Sequence, residues 1–337
     1  MRVRVPPPAF YFHSPTTVSK GRWWGNENKN IYQVISDNRK IVVGFSLALL
    51  LFLLGFAGLS TADEEIAVID STGTKLSFTQ PPERIVSLNP DFTENAAALG
   101  AAGHLVGITD YCRWPEKAAA PKRVGGLWHP NLERIVALRP DLVLATREGN
   151  DPETVAAIRG LSISVYVAGP PAGFNDYFAF LGQLGLILDR EAEAGTLIAS
   201  MTSLIDRLRA EAAGRPRKTV FFQIGMRPLI TAGKGTLINE MIDIAGGKNI
   251  AGDLSVRYPA FSRERVLAAD PGVIIIAAAG SEAEEGTAFW KTFPELRAVR
   301  SGRVFAVNPD DVCRLGPGLM EGLKQIAACI RGEGDKE

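Results

Sequence analysis

The stretch Asn131-Leu132-Glu133-Arg134-Ile135-Val136-Ala137-Leu138-Arg139-Pro140-Asp141-Leu142-Val143-Leu144-Ala145 decides the fold. It reads as a short helix, a proline break and a buried strand, since proline ends a helix and an unbroken apolar run suits a strand covered on both faces. A second copy follows: Ser262-Arg263-Glu264-Arg265-Val266-Leu267-Ala268-Ala269-Asp270-Pro271-Gly272-Val273-Ile274-Ile275-Ile276. The two glutamates, Glu133 and Glu264, are 131 residues apart and the order helix, proline, strand is the same in both. Two similar α/β halves account for this economically.

Each half has a lead strand, residues 84–88 in the first and 219–224 in the second. Residues 66–69 and 76–78 read as a small hairpin, and 104–109 as a further strand. Between the halves, Phe178, Leu181, Leu184, Ile187, Leu197, Met201, Leu204 and Leu208 recur at spacings of three and four, a helical period. Asp189-Arg190 is the expected break between two helical segments. The chain closes on a strand at 303–307 and a helix at 319–330. The expected organisation is an N-terminal α/β lobe (66–170), an interlobe helical segment (171–214), a C-terminal α/β lobe (215–331) and a polar tail (332–337). Both lobes should carry mostly parallel, Rossmann-like sheets joined by a long rigid helix.

The first 62 residues differ in composition from the rest. Arg39-Lys40 precede an apolar run over residues 41–59, followed by Ser60-Thr61-Ala62. Positive flank, apolar core and small residues at the end read as a secretory signal cleaved near Ala62, or an uncleaved anchor. Residues 1–38 fit neither role, and translation is expected to start nearer Arg39. Lys plus Arg equals Asp plus Glu at 37 each, which argues against a nucleic-acid partner. Three cysteines without a C-x-x-C pair, and three histidines, leave zinc and thiol-redox readings weak. Neither G-x-S-x-G, H-E-x-x-H nor G-x-G-x-x-G occurs, so an enzyme is not expected.

In parallel α/β lobes ligands bind at the carboxyl ends of the strands. That predicts a cleft lined by the loops after residues 88, 109, 145, 224, 277 and 307. Tyr111, Trp128 and Tyr258 fall on loops beside these strands and suit a large, flat or amphipathic ligand. Trp114 reads as a loop anchor. Asp310 and Arg314 are candidates for polar ligand edges or an interlobe salt bridge. Cys112 and Cys313 both fall on predicted cleft loops, where a disulfide is conceivable in an oxidising compartment. His129 reads as a surface residue more readily than a metal ligand. Glu133 and Glu264 begin matching helices, where a carboxylate favours the helix dipole and where paired acids could orient a docking partner. Asn131 and Ser262, two residues before each Glu, can cap those helices without a full capping box.

These motifs, together with Phe222-Gln223-Ile224-Gly225, Thr231-Ala232-Gly233-Lys234-Gly235 and Gly246-Gly247-Lys248-Asn249-Ile250, resemble the cobalamin-binding proteins of bacterial ABC importers. These lie within the helical-backbone family that also binds siderophores, haem and metal ions. The resemblance covers about residues 82–331. It implies a class III periplasmic binding protein, two lobes with limited closure, and export to the periplasm. It implies a monomer with no permanent cofactor that carries cobalamin or a related corrinoid to a permease dimer with its ATPase subunits. Ferric siderophore, haem and, further off, a metal ion are the alternatives. It also implies that Glu133 and Glu264 pair with permease arginines. Tyr111 and Tyr258 would help hold the corrin, and Asp310 and Arg314 match polar cleft positions. Leu127, Thr146 and Ile224 stand where cobalamin binders carry aromatics, and Tyr258 replaces a tryptophan.

Overall fold

The computed structural model describes residues 65–113 and 120–333, all within one compact unit, Asp63–Glu337. The signal segment, the upstream residues and Trp114 lie outside the described residues. Among the described residues no helix is long and apolar enough to cross a membrane.

In chain order the strands are β1 (Ile66–Ile69), β2 (Lys75–Phe78), β3 (Ile85–Ser87), β4 (Leu105–Ile108), β5 (Lys122–Arg123), β6 (Leu142–Thr146), β7 (Ser164–Ala168), β8 (Lys218–Met226), β9 (Leu229–Thr231), β10 (Gly247–Asn249), β11 (Val273–Ala277) and β12 (Val304–Val307). The helices are α1 (Pro90–Ala98), α2 (Leu132–Ala137), α3 (Pro152–Gly160), α4 (Phe174–Leu188), α5 (Glu191–Ala212), α6 (Leu237–Ile244), α7 (Arg263–Ala269), α8 (Gly280–Lys291), α9 (Arg297–Arg300), α10 (Pro309–Cys313) and α11 (Leu319–Arg331). The first lobe is a parallel sheet in the order β5-β4-β3-β6-β7. The second is β10-β8-β11-β12, also parallel, with β9 antiparallel against β8. The β1-β2 hairpin is tied to β7 by Ser71, whose N–H donates to the Val167 carbonyl at 2.9 Å.

The repeated unit is repeated down to its corners. Asn131 and Ser262 cap α2 and α7, each accepting from the backbone N–H three residues on, at 2.9 and 3.2 Å. Both helices end in a left-handed non-glycine residue before proline: Arg139 at φ 46° and Asp270 at φ 41°. That conformation is costly for an L-residue. Here it turns the chain sharply enough for Pro140 and Pro271 to start the return into β6 and β11.

Strand alternation sorts side chains into layers. Val86, Val143, Ala145, Val165 and Val167 pack on one face of the first sheet, under α2 and α3. Phe221, Ile274, Ile276 and Val304 pack on one face of the second, with Trp290. The opposite faces belong to a single cluster: Ile85, Leu142 and Leu144 of one lobe, and Val220, Phe222, Ile275 and Phe305 of the other. Tyr177, Leu181, Leu184 and Leu188 of α4, with Met201, Leu204 and Leu208 of α5, belong to the same cluster. The break predicted at Asp189-Arg190 is present: Asp189 is left-handed at φ 55°, and the Arg190 N–H donates to the Gly185 carbonyl at 2.8 Å. The 22 residues of α5 make it roughly 33 Å long at 1.5 Å per residue.

A core shared by both lobes has a thermodynamic consequence. Replacing Leu181, which is fully buried on α4, by Ala should cost about 2–5 kcal/mol. Unfolding should remain one transition in urea, with tryptophan fluorescence and far-UV circular dichroism coincident. Two resolved transitions would show that the lobes do not share a core.

Candidate ligand-binding cleft

The strand ends converge on a cavity of about 460 Å³ between the lobes, within the usual range for small-molecule sites. From the first lobe it is lined by Asn89, Asp91 and Phe92 of the β3–α1 junction, by Thr146, Glu148 and Gly149 after β6, and by residues 168–171 after β7. From the second it is lined by Ile224, Ile230, Arg257, Tyr258 and the Val312–Leu315 segment. The loops after residues 88, 145 and 307 therefore line it as expected, whereas β8 runs on to Met226 and reaches the cavity through Ile224 on the strand itself, not through the loop that follows. Those after 109 and 277 are not among the lining residues. The loop after β7 also lines the cavity, although no local sequence pattern marks it.

Local structure fixes each wall. Asn89 caps α1, accepting from the Asp91 N–H at 2.8 Å, while its amide reaches the Thr146 hydroxyl at 3.3 Å. Gly149 is needed there, because a Cβ would stand 2.6 Å from Thr146 Oγ1. Residues 257–261 run antiparallel to β9: the Gly233 N–H donates to the Arg257 carbonyl at 2.7 Å and the Phe261 N–H to Leu229 at 2.8 Å. This rail presents Arg257 and Tyr258 to the cavity.

Of the five residues expected to touch ligand, Tyr258 and Arg314 line the cavity. Tyr111 and Trp128 do not; both are exposed, at 61% and 49%. Their loops nevertheless join the cleft. The Asn150 amide donates to the Leu88 and Leu127 carbonyls at 3.0 and 2.8 Å, tying the Trp128 loop to the wall. Arg113, two residues after Tyr111, forms an ion pair with Asp310. Asp310 is not a lining residue; besides Arg113 it holds Arg314 at 2.9 Å. Arg314 in turn meets Glu94 of α1 at 3.0 Å. A chain of alternating charge, Arg113–Asp310–Arg314–Glu94, thus crosses between the lobes twice.

Beside this chain lies a buried polar tie. Asn95 donates through its amide to the Asp91 and Leu315 carbonyls, both at 2.7 Å, and accepts from the Tyr177 hydroxyl at 2.8 Å. The Leu315 N–H donates to Asp91 Oδ1 at 3.2 Å. Burial pushes the Asp91 carboxyl up to about 6, opposed by the Leu315 N–H and assisted by the negative charge of Glu94.

Cys112 and Cys313 are not joined in a disulfide; Cys112 is buried and Cys313 exposed. Cys112 is held by the Thr93 and Thr109 hydroxyls at 3.1 and 3.2 Å. Cys313 lines the cavity, where the surrounding protein, with Asp310 nearby, pushes its thiol up to about 11. It is therefore protonated at neutral pH. Burial also raises the Tyr258 phenol, against the pull of the Arg257 charge. Among the described residues no group of three or more His, Cys, Asp or Glu is placed to hold a metal ion.

Two open α/β lobes around a helical connection, with a ligand-sized cleft at the strand ends, define a solute carrier of the class III periplasmic-binding type. The chain belongs to the periplasmic binding protein family, whose model matches residues 85–310. It is a binding protein by family and not an enzyme. A vitamin B12-binding protein of Yersinia pseudotuberculosis is 32% identical over 247 residues, covering 73% of this chain and 86% of the relative. Among solved structures, the periplasmic vitamin B12 binding protein of Vibrio cholerae superposes with a TM-score of 0.66 at 28% identity, covering 76% of this chain and 99% of that one. A periplasmic haem-binding protein from Roseiflexus gives 0.65 at 26%, covering 75% and 99%.

The titration of Asp91 can be read directly. In the unfolded chain its carboxyl titrates near 3.8, in the folded protein near 6. Between those values the folded state binds more protons, so stability falls as pH rises through that window. Asp91→Asn keeps an acceptor for the Leu315 N–H and should remove this slope, making the protein more stable at pH 7. Urea titrations at pH 4, 5, 6 and 7 check this; an unchanged slope would assign the titration to another group.

Proposed function

We propose that this protein is the substrate-binding component of an ABC importer that captures cobalamin or a related corrinoid in the interlobe cleft and delivers it to the permease. The observation that carries the reading is the cleft itself. It is built jointly by both lobes at the strand carboxyl ends, with Tyr258, Phe92, Ile224 and Ile230 as apolar wall and Asn89, Thr146 and Arg257 as polar edge. An amide-rimmed macrocycle needs that combination of flat apolar contact and peripheral hydrogen bonding. The names of the relatives point the same way. Haem or a ferric siderophore is the alternative, favoured by the likeness to a haem-binding structure. A bare metal ion fits less well, because it needs several protein ligands converging on one point.

In this reading Tyr258 and Arg314 contact the ligand within the cavity, while Tyr111, Trp128 and Asp310 act from the loops that border it. The protein works as a monomer outside the cytoplasmic membrane, after export through its N-terminal signal. Residues 66–170 and 215–331 serve as the two lobes and 171–214 as their connection. Docking falls to Glu133 and Glu264. Both are exposed at the second position of their helices, where the dipole stabilises a carboxylate. Val136, 45% exposed on α2, lies one helical turn from Glu133 and adds apolar area to that surface. Glu264 is held below its usual range by its own backbone N–H, Arg263 and Ser262. Glu264 pairs with its neighbour Arg263 at 2.8 Å, an exposed pair that a permease arginine can replace at little cost.

Calorimetry with cyanocobalamin, cobinamide, haem and ferric siderophores should give one-to-one, sub-micromolar binding of a corrinoid. Tight binding of haem or siderophore alone would move the substrate and keep the carrier. The double change Glu133→Ala with Glu264→Ala should leave ligand affinity unchanged and lower ligand-stimulated ATPase activity of the reconstituted importer at least about tenfold. Unaltered stimulation would remove both residues from the docking surface.

A further inference from the structure

Two arginines line the cavity, and they are not equivalent. Arg314 is neutralised twice, by Glu94 at 3.0 Å and Asp310 at 2.9 Å. Arg257 is fixed instead by backbone carbonyls: Nη1 donates to Gly235 at 2.6 Å and Nη2 to Pro171 at 3.1 Å. Gly235 belongs to the second lobe and Pro171 to the start of the interlobe segment, so the guanidinium is clamped between them. Its Nε is buried and has no hydrogen-bond partner. Glu148 Oε1 stands 3.8 Å from Nε, an ion pair beyond hydrogen-bond reach. Among the described residues, Arg257 Nε is the buried side-chain polar atom left without a partner. It belongs to a residue that lines the ligand cavity, next in sequence to Tyr258.

A buried donor left unmade costs free energy, and native structures tolerate it chiefly where a ligand or water completes it. The donor here carries full charge, is held in one orientation, and among the described residues has as ion-pair partner Glu148, a carboxylate that is itself 56% exposed. A charge-assisted bond to an anionic oxygen is the strongest partner such a group can take. We infer that Arg257 anchors an anionic oxygen of the transported ligand, a phosphodiester or a carboxylate, and that Glu148 is the resident counter-charge this group displaces. The choice of probes rests on the corrinoid reading. The anchor itself rests on Arg257.

Cyanocobalamin carries a phosphodiester in its nucleotide loop; cobinamide has the same amide rim without that loop; haem carries two carboxylates. Calorimetry on wild type, Arg257→Gln and Glu148→Gln separates the sources. Arg257→Gln should weaken cyanocobalamin at least about tenfold and cobinamide less than about threefold. Glu148→Gln, a change at a cavity-lining residue that is itself exposed, should tighten cyanocobalamin severalfold and shift cobinamide by a clearly smaller factor. It decides the matter should Arg257→Gln fail to give a wild-type melting curve, since that variant also loses two carbonyl contacts. If wild type binds haem and neither corrinoid, the corrinoid reading falls and the anchor is judged on haem, which Arg257→Gln should then weaken at least about tenfold. Equal loss of cyanocobalamin and cobinamide, unchanged affinity in both variants, or wild-type binding of none of the three would overturn the inference.

Discussion

The apolar layer that α4 and α5 share with both sheets is the constraint on which the rest of the molecule depends. Each fully buried aliphatic or aromatic side chain in it is worth about 1.5–3 kcal/mol of transfer from water. Tyr177, Leu181, Leu184, Leu188, Met201 and Leu204 all belong to the cluster that reaches β3 and β6 on one side and β8 and β11 on the other. The lobes cannot swing apart widely without exposing part of that layer. The cleft is consequently held near one width. Its walls are preformed, and the ligand meets side chains whose positions were fixed when the chain folded.

The polar contacts across the cleft divide by their burial. Asn95 is fully buried and has its amide and carbonyl satisfied by Leu315, Asp91 and Tyr177. Breaking that tie strands polar atoms in the core, which is costly. The ion pairs Arg113–Asp310 and Arg314–Glu94 are partly exposed, and pairs of that kind contribute about 0.2–1 kcal/mol each. Those two pairs can therefore be exchanged at little cost while Asn95 keeps the Leu315 segment seated on α1. One set of contacts sets the geometry and the other is exchangeable.

Much of the architecture was legible in the sequence because it is local. The paired helix–proline–strand units, their Asn131 and Ser262 caps and the break at Asp189 all follow from spacing and residue type within about ten positions. The cleft was legible only in part. Tyr258 and Arg314 were found because aromatic and charged residues on loops after strands are visible signals. Arg257, one residue from Tyr258, was not singled out. Its role depends on carbonyls at positions 171 and 235, and no local pattern announces a donor left over after two bonds are made. Asp91 was missed for a related reason. An acid in the first turn of a helix is ordinary dipole complementarity, and only the Leu315 segment, more than two hundred residues on, encloses it.

The departures from an aromatic-rich cleft now have a physical reading. Thr146 and Ile224 line the cavity, where the resemblance to cobalamin binders implies aromatic rings. Thr146 spends its hydroxyl on the turn, accepting from the Gly149 N–H at 3.1 Å and from the Asn89 amide. Stacking area has been exchanged for a rigid polar corner. Flat π-surface is sequence-blind to the periphery of a macrocycle, since any planar ring satisfies it. Fixed donors and acceptors are not, because an unmatched group in the ligand leaves them unpaired. Beside Phe92, Phe180 and Tyr258 the cleft therefore sets a clamped guanidinium and a capped turn, fixed polar groups that an unmatched partner would leave unpaired.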